Sequence, residues 1–150
     1  VDERGDFTYS GRIPIDQFVI GVSIGASATG FYFAFSANAG IVNESVGESP
    51  VVVFADKDTC VVHVFLRTPR AGRNSPSDLP DSLTFEITDT GEVRDVESGS
   101  TWDTEAGVAV AGPLKGTLLQ RAPHVSALDW AWGDFNPHSV YWSDVLDTSE

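Results

Sequence analysis

The chain has 150 residues, of which 41% are hydrophobic, and its 22 acidic against 9 basic side chains give a formal net charge of -13. This length fits one globular domain and leaves too few residues for a second well-filled core. A surface so negative repels nucleic-acid phosphates and anionic lipids, so we expect neither as a partner. No apolar run reaches the roughly 18 to 20 residues that a membrane helix needs.

The acidity is combined with a scarcity of lysine, since Lys57 and Lys115 are the only two. The carboxylates are scattered along the chain instead of forming one run. Carboxylates spread over a surface stay hydrated and keep a protein soluble when salt screens charge repulsion. With 11% aromatic residues arguing against disorder, this pattern favours a halophilic, acidic protein over a cation-binding or partly disordered chain.

Turn residues interrupt the chain at short intervals, and the stretches between them are rich in Val, Ile, Phe and Thr, which is typical of a mainly β domain. Alternating apolar residues predict a strand over 17–24. A small-residue turn over 25–30 and a second strand over 31–35 complete a predicted hairpin. Residues 36–41 have no clear period and fit either a helical turn or a bend.

The middle of the chain predicts two further hairpins. A continuous apolar run indicates a strand over 51–54 that is buried on both faces and pairs across a charged turn with a strand over 60–66. Residues 68–81 hold three prolines and a glycine and are expected to form an exposed loop. The alternation over 83–88 predicts a half-buried strand that pairs with 92–96 across an Asp-Thr-Gly turn.

The last third changes to short apolar runs separated by glycine, with strands expected over 108–111 and 117–120 and Pro113 at a strand end. The final residues, 144–150, are expected to be a frayed acidic tail.

One short helix is predicted near the C-terminus. Ser126 and Asp129 suggest a capping-box start, and Leu128, Trp132 and Phe135 follow at helical spacing on one face. The chain is therefore expected to be one domain, 1–150, of antiparallel strands with a single short C-terminal helix.

Motifs for catalysis are weak, and we expect no catalytic residue. Ser98-Gly99-Ser100 resembles a turn and lacks the strand-turn-helix setting of a nucleophile elbow. The glycine-rich run 107–116 lacks the Lys-Ser/Thr ending of a phosphate loop. Asp56 and Asp58 do not match a calcium-binding loop, and surface hydration explains them better.

The best candidate for a metal pair is Cys60 with His63, because thiolate and imidazole suit copper or zinc. If both lie in one strand, residues three apart project to opposite faces, so they can share an ion only at a bulge. His124 is a further candidate ligand. We expect no cofactor, and copper or zinc at these residues is the alternative. With one cysteine in the chain, an intrachain disulfide is excluded.

Aromatic residues are concentrated in the last third of the chain. Large rings of this kind build cores or interfaces. We expect a ligand- or partner-binding surface there, formed by Trp102, Asp103, His124, Trp130 and Trp132.

The same region carries a set of motifs with a family resemblance. They are a Gly-Ser-x-Trp turn ending at Trp102, the Gly-x-Ala-x-Ala-Gly-Pro-Leu-x-Gly run over 107–116, a Pro-His pair ending at His124, and Trp-Ala-Trp-x-x-Phe-x-Pro over 130–137. Together they resemble the domain of unknown function 3179 family, and the first half of the chain is similar more loosely. That family has no assigned activity and implies no catalytic residues.

The resemblance has one departure and one implication for location. Many family members carry a Tyr-Cys-Pro-x-Cys element where this chain reads Phe-Ala-Asp-Lys-Asp-Thr-Cys over 54–60, so the paired thiols are missing. Members tend to be exported or membrane-anchored, which implies an extracytoplasmic protein, secreted or anchored through a removed segment. The missing N-terminal methionine and the glycosylation pattern at Asn43 fit that expectation.

Three functions follow from these patterns. The first is a non-catalytic extracytoplasmic domain that binds an unknown protein or small molecule through its aromatic C-terminal region. The second is an accessory domain for copper or redox handling that uses Cys60 with His63 or His124. The third is a hydrolytic enzyme.

Overall fold

The computed structural model describes residues 18–56 and 58–142. Within these residues the chain forms three small β-sheets and two short helices, which confirms the mainly β class and adds one helix to the expected one. The elements in chain order are β1 Phe18–Ile24, β2 Ser27–Tyr32, α1 Phe33–Ala39, β3 Ile41–Val46, β4 Ser49–Ala55, β5 Val62–Leu66, β6 Phe85–Ile87, β7 Val93–Asp95, β8 Thr101–Asp103, β9 Val108–Ala111, β10 His124–Leu128, α2 Asp129–Phe135 and β11 Val140–Trp142.

The first sheet has the order β10-β1-β2-β11. The β1–β2 hairpin is present, but its turn is shorter than predicted because Ser27 to Gly30 already pair with β1. The predicted strand over 31–35 ends at Tyr32, where the chain enters α1. Three alanines favour a helix there, and Gly40, with φ 82°, ends it by donating its N–H to the carbonyl of Ser36. One pair, β2 with β11, is parallel.

The second sheet, β3-β4-β5, divides the interior in two. Val51, Val52 and Val53 on β4 are all fully buried, as expected of a strand covered on both faces. Val51 and Val53 pack with residues of the first sheet, whereas Val52 packs with the third sheet. The period of two along β4 therefore places one hydrophobic cluster on each side of this strand.

The third sheet has the order β6-β7-β8-β9 and includes the predicted β6–β7 hairpin. Pro113 follows the end of β9, as expected. The strand predicted over 117–120 is wrong, because Leu118 makes only isolated bridges to Arg70 and Val108. The glycines at the two ends of the Gly-Pro-Leu-Lys-Gly segment each turn the chain, so a continuous strand ladder does not form there.

Two side chains connect the second and third sheets through backbone groups. The Asn43 amide donates to the carbonyl of Phe85 and accepts from its N–H, both at 2.9 Å. The Arg67 guanidinium donates to the carbonyls of Val51, Leu83 and Glu44 at 2.7 to 3.0 Å. Burial lowers the pKa of Arg67, while Glu44 and Glu97 oppose that change. These bonds satisfy backbone groups where the two sheets meet.

The C-terminal helix α2 is present, but the predicted capping box is wrong. Ser126 lies within β10, and Leu128 is the N-cap residue without a side-chain cap hydrogen bond. Trp132 is buried, whereas Phe135, the last residue of α2, is 85% exposed. Neither described helix has the length and hydropathy that crossing a bilayer requires. The predicted tail over 144–150 lies outside the described residues.

Candidate functional site

The Gly-Ser-x-Trp motif is organised around one buried carboxylate. Asp95, at the end of β7, has no exposed surface. Its Oδ1 accepts from the backbone N–H of Ser98, and its Oδ2 accepts from the hydroxyl of Ser98 at 2.9 Å and the indole Nε1 of Trp102 at 2.8 Å. Three donors from the following turn and strand thus satisfy a group that is costly to bury alone.

The glycine-rich run 107–116 packs against the same turn. The Ser100 hydroxyl accepts from the backbone N–H of Leu114 at 2.8 Å and shares a hydrogen bond with the Ser98 hydroxyl at 2.7 Å. Gly112 has φ 95°, and a Cβ there would lie 2.7 Å from the Cα of Ser100. The most distinctive motifs of the chain therefore hold β7, β8 and the segment after β9 together.

Two of the predicted site tryptophans are buried, each against a different sheet. Trp102 is 5% exposed and packs edge-on against Phe85 in the third sheet. Trp132 is 6% exposed and covers Gly21 and Gly30 of the first sheet, with its Nε1 donating to the Ser139 hydroxyl at 2.6 Å. The side chain of Trp142 lies outside the described part of the chain.

The other three predicted site residues are exposed. Trp130 keeps 55% of its surface and lies on α2. Asp103 accepts from the backbone N–H groups of Glu105 and Ala106 at 2.9 and 3.2 Å, so it caps the β8–β9 turn. His124 is the first residue of the edge strand β10. A binding role for the five residues together stays a prediction.

The described residues form a cleft of about 510 Å³ that the sequence did not reveal. It opens where the end of β4 and the β4–β5 turn meet the β6–β7 hairpin and the β8–β9 turn. We call it the His63 cleft. Its apolar lining comes from Ile41, Phe54, Val61, Ile87 and Val93, and its titratable lining from Asp56, Asp58, His63 and Glu105.

The β4–β5 turn carries two of these carboxylates, which differ in their hydrogen bonding. Oδ1 of Asp56 accepts from the backbone N–H groups of Asp58 and Thr59 at 2.8 and 3.4 Å, which shapes the turn. The carboxylates of Asp58 and Glu105 have no hydrogen-bond or ion-pair partner among the described residues. Within the described part of the chain, two carboxylates without a partner therefore line the cleft.

Four ionisable groups from different parts of the chain act on His63. Burial of the ring is the largest cause that lowers the pKa of His63 below 6.5, followed by the positive charge of Arg121. His124 lowers the pKa further, whereas Glu105 and Asp103 raise it. The net effect favours a neutral imidazole at neutral pH.

Arg121 is held in place behind His63 by three contacts. Its guanidinium carbon lies 5.0 Å from the centroid of the Phe65 ring. One terminal nitrogen is 3.4 Å from Nδ1 of His63, and the other donates to the backbone carbonyl of Glu105. Arg121 does not line the cleft itself.

Cys60 is separated from His63 by the local backbone. The strand predicted over 60–66 begins at Val62, and Cys60 precedes it as an exposed residue with φ 61°. Its thiol lines a different, smaller cavity of about 150 Å³ beside Phe18 and Phe33. Across residues 18–56 and 58–142 no three His, Cys, Asp or Glu side chains are grouped so as to hold a metal. The copper or zinc alternative stays a prediction.

Comparison with known proteins supports the resemblance seen in the motifs. The family model described as "Protein of unknown function (DUF3179)" matches residues 4–139. No match to the chain was found among curated proteins or among solved structures. The matched residues include the Asp95 network, the glycine-rich run and the residues after it as far as Ser139. The chain therefore belongs to the DUF3179 family of proteins of unknown function.

Proposed function

We propose that this protein is a non-catalytic binding domain whose small-molecule ligand occupies the His63 cleft. The observation that carries the proposal is the cleft itself. Its volume of about 510 Å³ lies within the range of roughly 300 to 1,000 Å³ that is usual for ligand sites. Its lining is mostly apolar with a few polar groups, which is the usual composition of such sites.

The polar groups at the cleft favour binding over catalysis. Asp56 and the Thr59 hydroxyl accept hydrogen bonds from the backbone of the β4–β5 turn. Among the described residues, the one hydrogen-bond contact of the His63 ring is to Arg121, so none of them forms with His63 the nucleophile–base pair that covalent catalysis requires. The proposal assigns no cofactor and no reaction.

The partner surface expected in the aromatic C-terminal region is separate from the His63 cleft. Trp130 and Phe135 are 55% and 85% exposed, and neither lines the His63 cleft. Exposed large rings are common at binding surfaces. A protein partner at α2 is therefore compatible with ligand binding in the cleft.

The extracytoplasmic location is proposed on the family resemblance alone. The glycosylation pattern at Asn43 adds no support, because both polar atoms of its side-chain amide are bonded to the backbone of Phe85. A glycan on Nδ2 would have to break into the contact between β3 and β6.

The test is a fragment screen by ¹H–¹⁵N NMR, carried out in both dilute buffer and molar KCl. We expect compounds that shift the signals of Ile41, Val61, His63 and Ile87 together. Val61→Trp, at a position 46% exposed at the cleft, should block these compounds, whereas Val110→Trp, at a position 47% exposed on β9, should not. Compounds that bind elsewhere only, or equally well to both variants, would contradict the proposal.

A further inference from the structure

We infer that the ligand of the His63 cleft is a small organic cation, an ammonium group attached to a short apolar body. This inference rests on the proposed function and names the chemical class that the cleft selects. It follows from two features of the lining, the charge at its rim and the apolar surface between the charged groups.

The charged groups among the described lining residues are carboxylates. Asp56, Asp58 and Glu105 line it, and no described lining residue is a lysine or arginine. The carboxylates of Asp58 and Glu105 are exposed and have no partner among the described residues. A cation can therefore pair with them without displacing an existing ion pair. The overall charge of -13 also attracts cations and repels anions during approach.

His63 does not offset these charges at neutral pH. Burial and the neighbouring Arg121 lower its pKa, and Asp103 and Glu105 only partly oppose this. A neutral imidazole adds no positive charge to the lining, so the carboxylates are the charged groups of the described lining.

The apolar lining excludes a bare metal ion as the best occupant. Val61 and Ile87 are 46% and 51% exposed, and the buried Phe54 also lines the cleft. Burying such surface against an alkyl group is favourable at roughly 25 cal/mol per Å². A hydrated ion offers no apolar surface, and no described group of three ligand side chains is in place to replace its water. An alkylammonium satisfies both parts of the lining.

Three compounds of nearly equal size and different charge test the inference: pentylammonium, pentanol and pentanoate. Their dissociation constants are measured by NMR titration of the cleft signals in buffer of low ionic strength at pH 7.5. We expect pentylammonium to bind most tightly and pentanoate most weakly. Added KCl should weaken pentylammonium binding and leave pentanol binding nearly unchanged, because salt screens exposed charges.

Paired variants identify the groups responsible. The double variant Asp58→Asn, Glu105→Gln removes two exposed ion pairs with the ligand and should therefore weaken pentylammonium binding roughly tenfold. It should not weaken pentanol binding. The control, Glu48→Gln with Asp78→Asn, removes the same charge from exposed positions that do not line the cleft and should change binding less than twofold.

The outcomes separate the two proposals. Equal affinities for pentylammonium and pentanol, unchanged in the Asp58→Asn, Glu105→Gln variant, would overturn the cation assignment and leave the cleft as a ligand site. Preference for pentanoate would overturn it as well. If none of the three compounds shifts a cleft signal while the protein is folded, both the cation assignment and the cleft proposal fail.

Discussion

The indole Nε1 of Trp102 donates a 2.8 Å hydrogen bond to Oδ2 of Asp95, a carboxylate with no exposed surface. This bond joins β7 to β8 and brings two residues of the family's motif region into one buried contact. Because a buried carboxylate is tolerated only when its hydrogen bonds are satisfied, the pair is a determinant of the fold.

Replacement of Asp95 by Asn should destabilise the protein by about 2 to 4 kcal/mol. The amide would present an N–H group toward the donors that now bind the carboxylate. Chemical denaturation measures the change. Trp102→Phe should show a coupling energy with Asp95→Asn of about 0.5 to 3 kcal/mol in a double-mutant cycle. Asp89→Asn, in an exposed turn, is the control, and an equally stable Asp95→Asn variant would disprove this role.

The contact of Trp132 with the first sheet predicts a graded response at two glycines. A Cβ at Gly21 would overlap the six-membered ring of Trp132, whereas a Cβ at Gly30 would lie 3.0 Å from Cδ1 in the five-membered ring. Gly21→Ala should therefore cost about 1 to 3 kcal/mol and expose the indole to acrylamide quenching, and Gly30→Ala should cost less. Trp130→Ala, at a position 55% exposed, should leave stability nearly unchanged. Equal effects at the two glycines would contradict the geometry.

The two hydrogen bonds between Asn43 and Phe85 predict that Asn43 is a structural residue. Asn43→Asp removes the donor and places an oxygen against the Phe85 carbonyl, so it should destabilise the protein by about 1 to 3 kcal/mol. Ser45→Ala destroys the same glycosylation pattern at an exposed position and should have no comparable effect. Mass spectrometry of protein made in a glycosylating host should find Asn43 unmodified, and a glycan there would refute the assignment.

His63 should titrate with a midpoint below 6.5, measured from its imidazole signals by NMR. Arg121→Gln removes a cause of the lowered pKa and should raise the midpoint. Glu105→Gln removes an opposing charge and should lower it further. Shifts of the same sign in the two variants would disagree with the arrangement of charges around the ring.

The same lowered pKa of His63 has a consequence for stability. The unfolded chain binds a proton at His63 more readily than the folded chain. The contribution of this residue to stability is therefore present at pH values above 6.5. It is lost as the pH falls from 6.5 toward the folded midpoint. His63→Gln should reduce the pH dependence of the free energy of unfolding in that window. An unchanged dependence would rule out this contribution.

The scattered acidity predicts a strong response to salt. Most described carboxylates are exposed, and their repulsion is screened as the Debye length falls from about 10 Å at 0.1 M to about 3 Å at 1 M salt. The melting temperature should rise steeply between dilute buffer and molar KCl. A variant with amides at five exposed positions should respond less; these are Glu48, Asp78, Asp81, Asp89 and Glu92. A flat response of the unmodified protein would leave the acidity without this explanation.

Local patterns predicted the elements whose environment is uniform along their length. Val51 to Val53 form an uninterrupted apolar run, and the strand they belong to is buried on both faces. The turn residues Asp89 to Gly91 likewise predicted the β6–β7 hairpin. In these cases the residue types themselves limit the backbone conformation.

Predictions failed where neighbours distant in sequence decide the conformation. Phe33 and Phe35 suit a strand, yet they lie in α1, which packs mainly against β4. Ser126 suits a helix cap, yet β10 continues through it because β1 provides a pairing partner. Side-chain packing and strand pairing outweighed the local preference at both positions.

The amino-acid sequence by itself determined the mainly β class, the family and the negative surface charge, because composition, turn residues and motif spacing are properties of the chain alone. Only the tertiary structure decided that Trp102 and Trp132 are buried against different sheets and that Asp58, His63 and Glu105 line one cleft. The residues of that cleft come from α1, five strands and the turns between elements, and no spacing along a chain encodes which turns will meet when three sheets pack together.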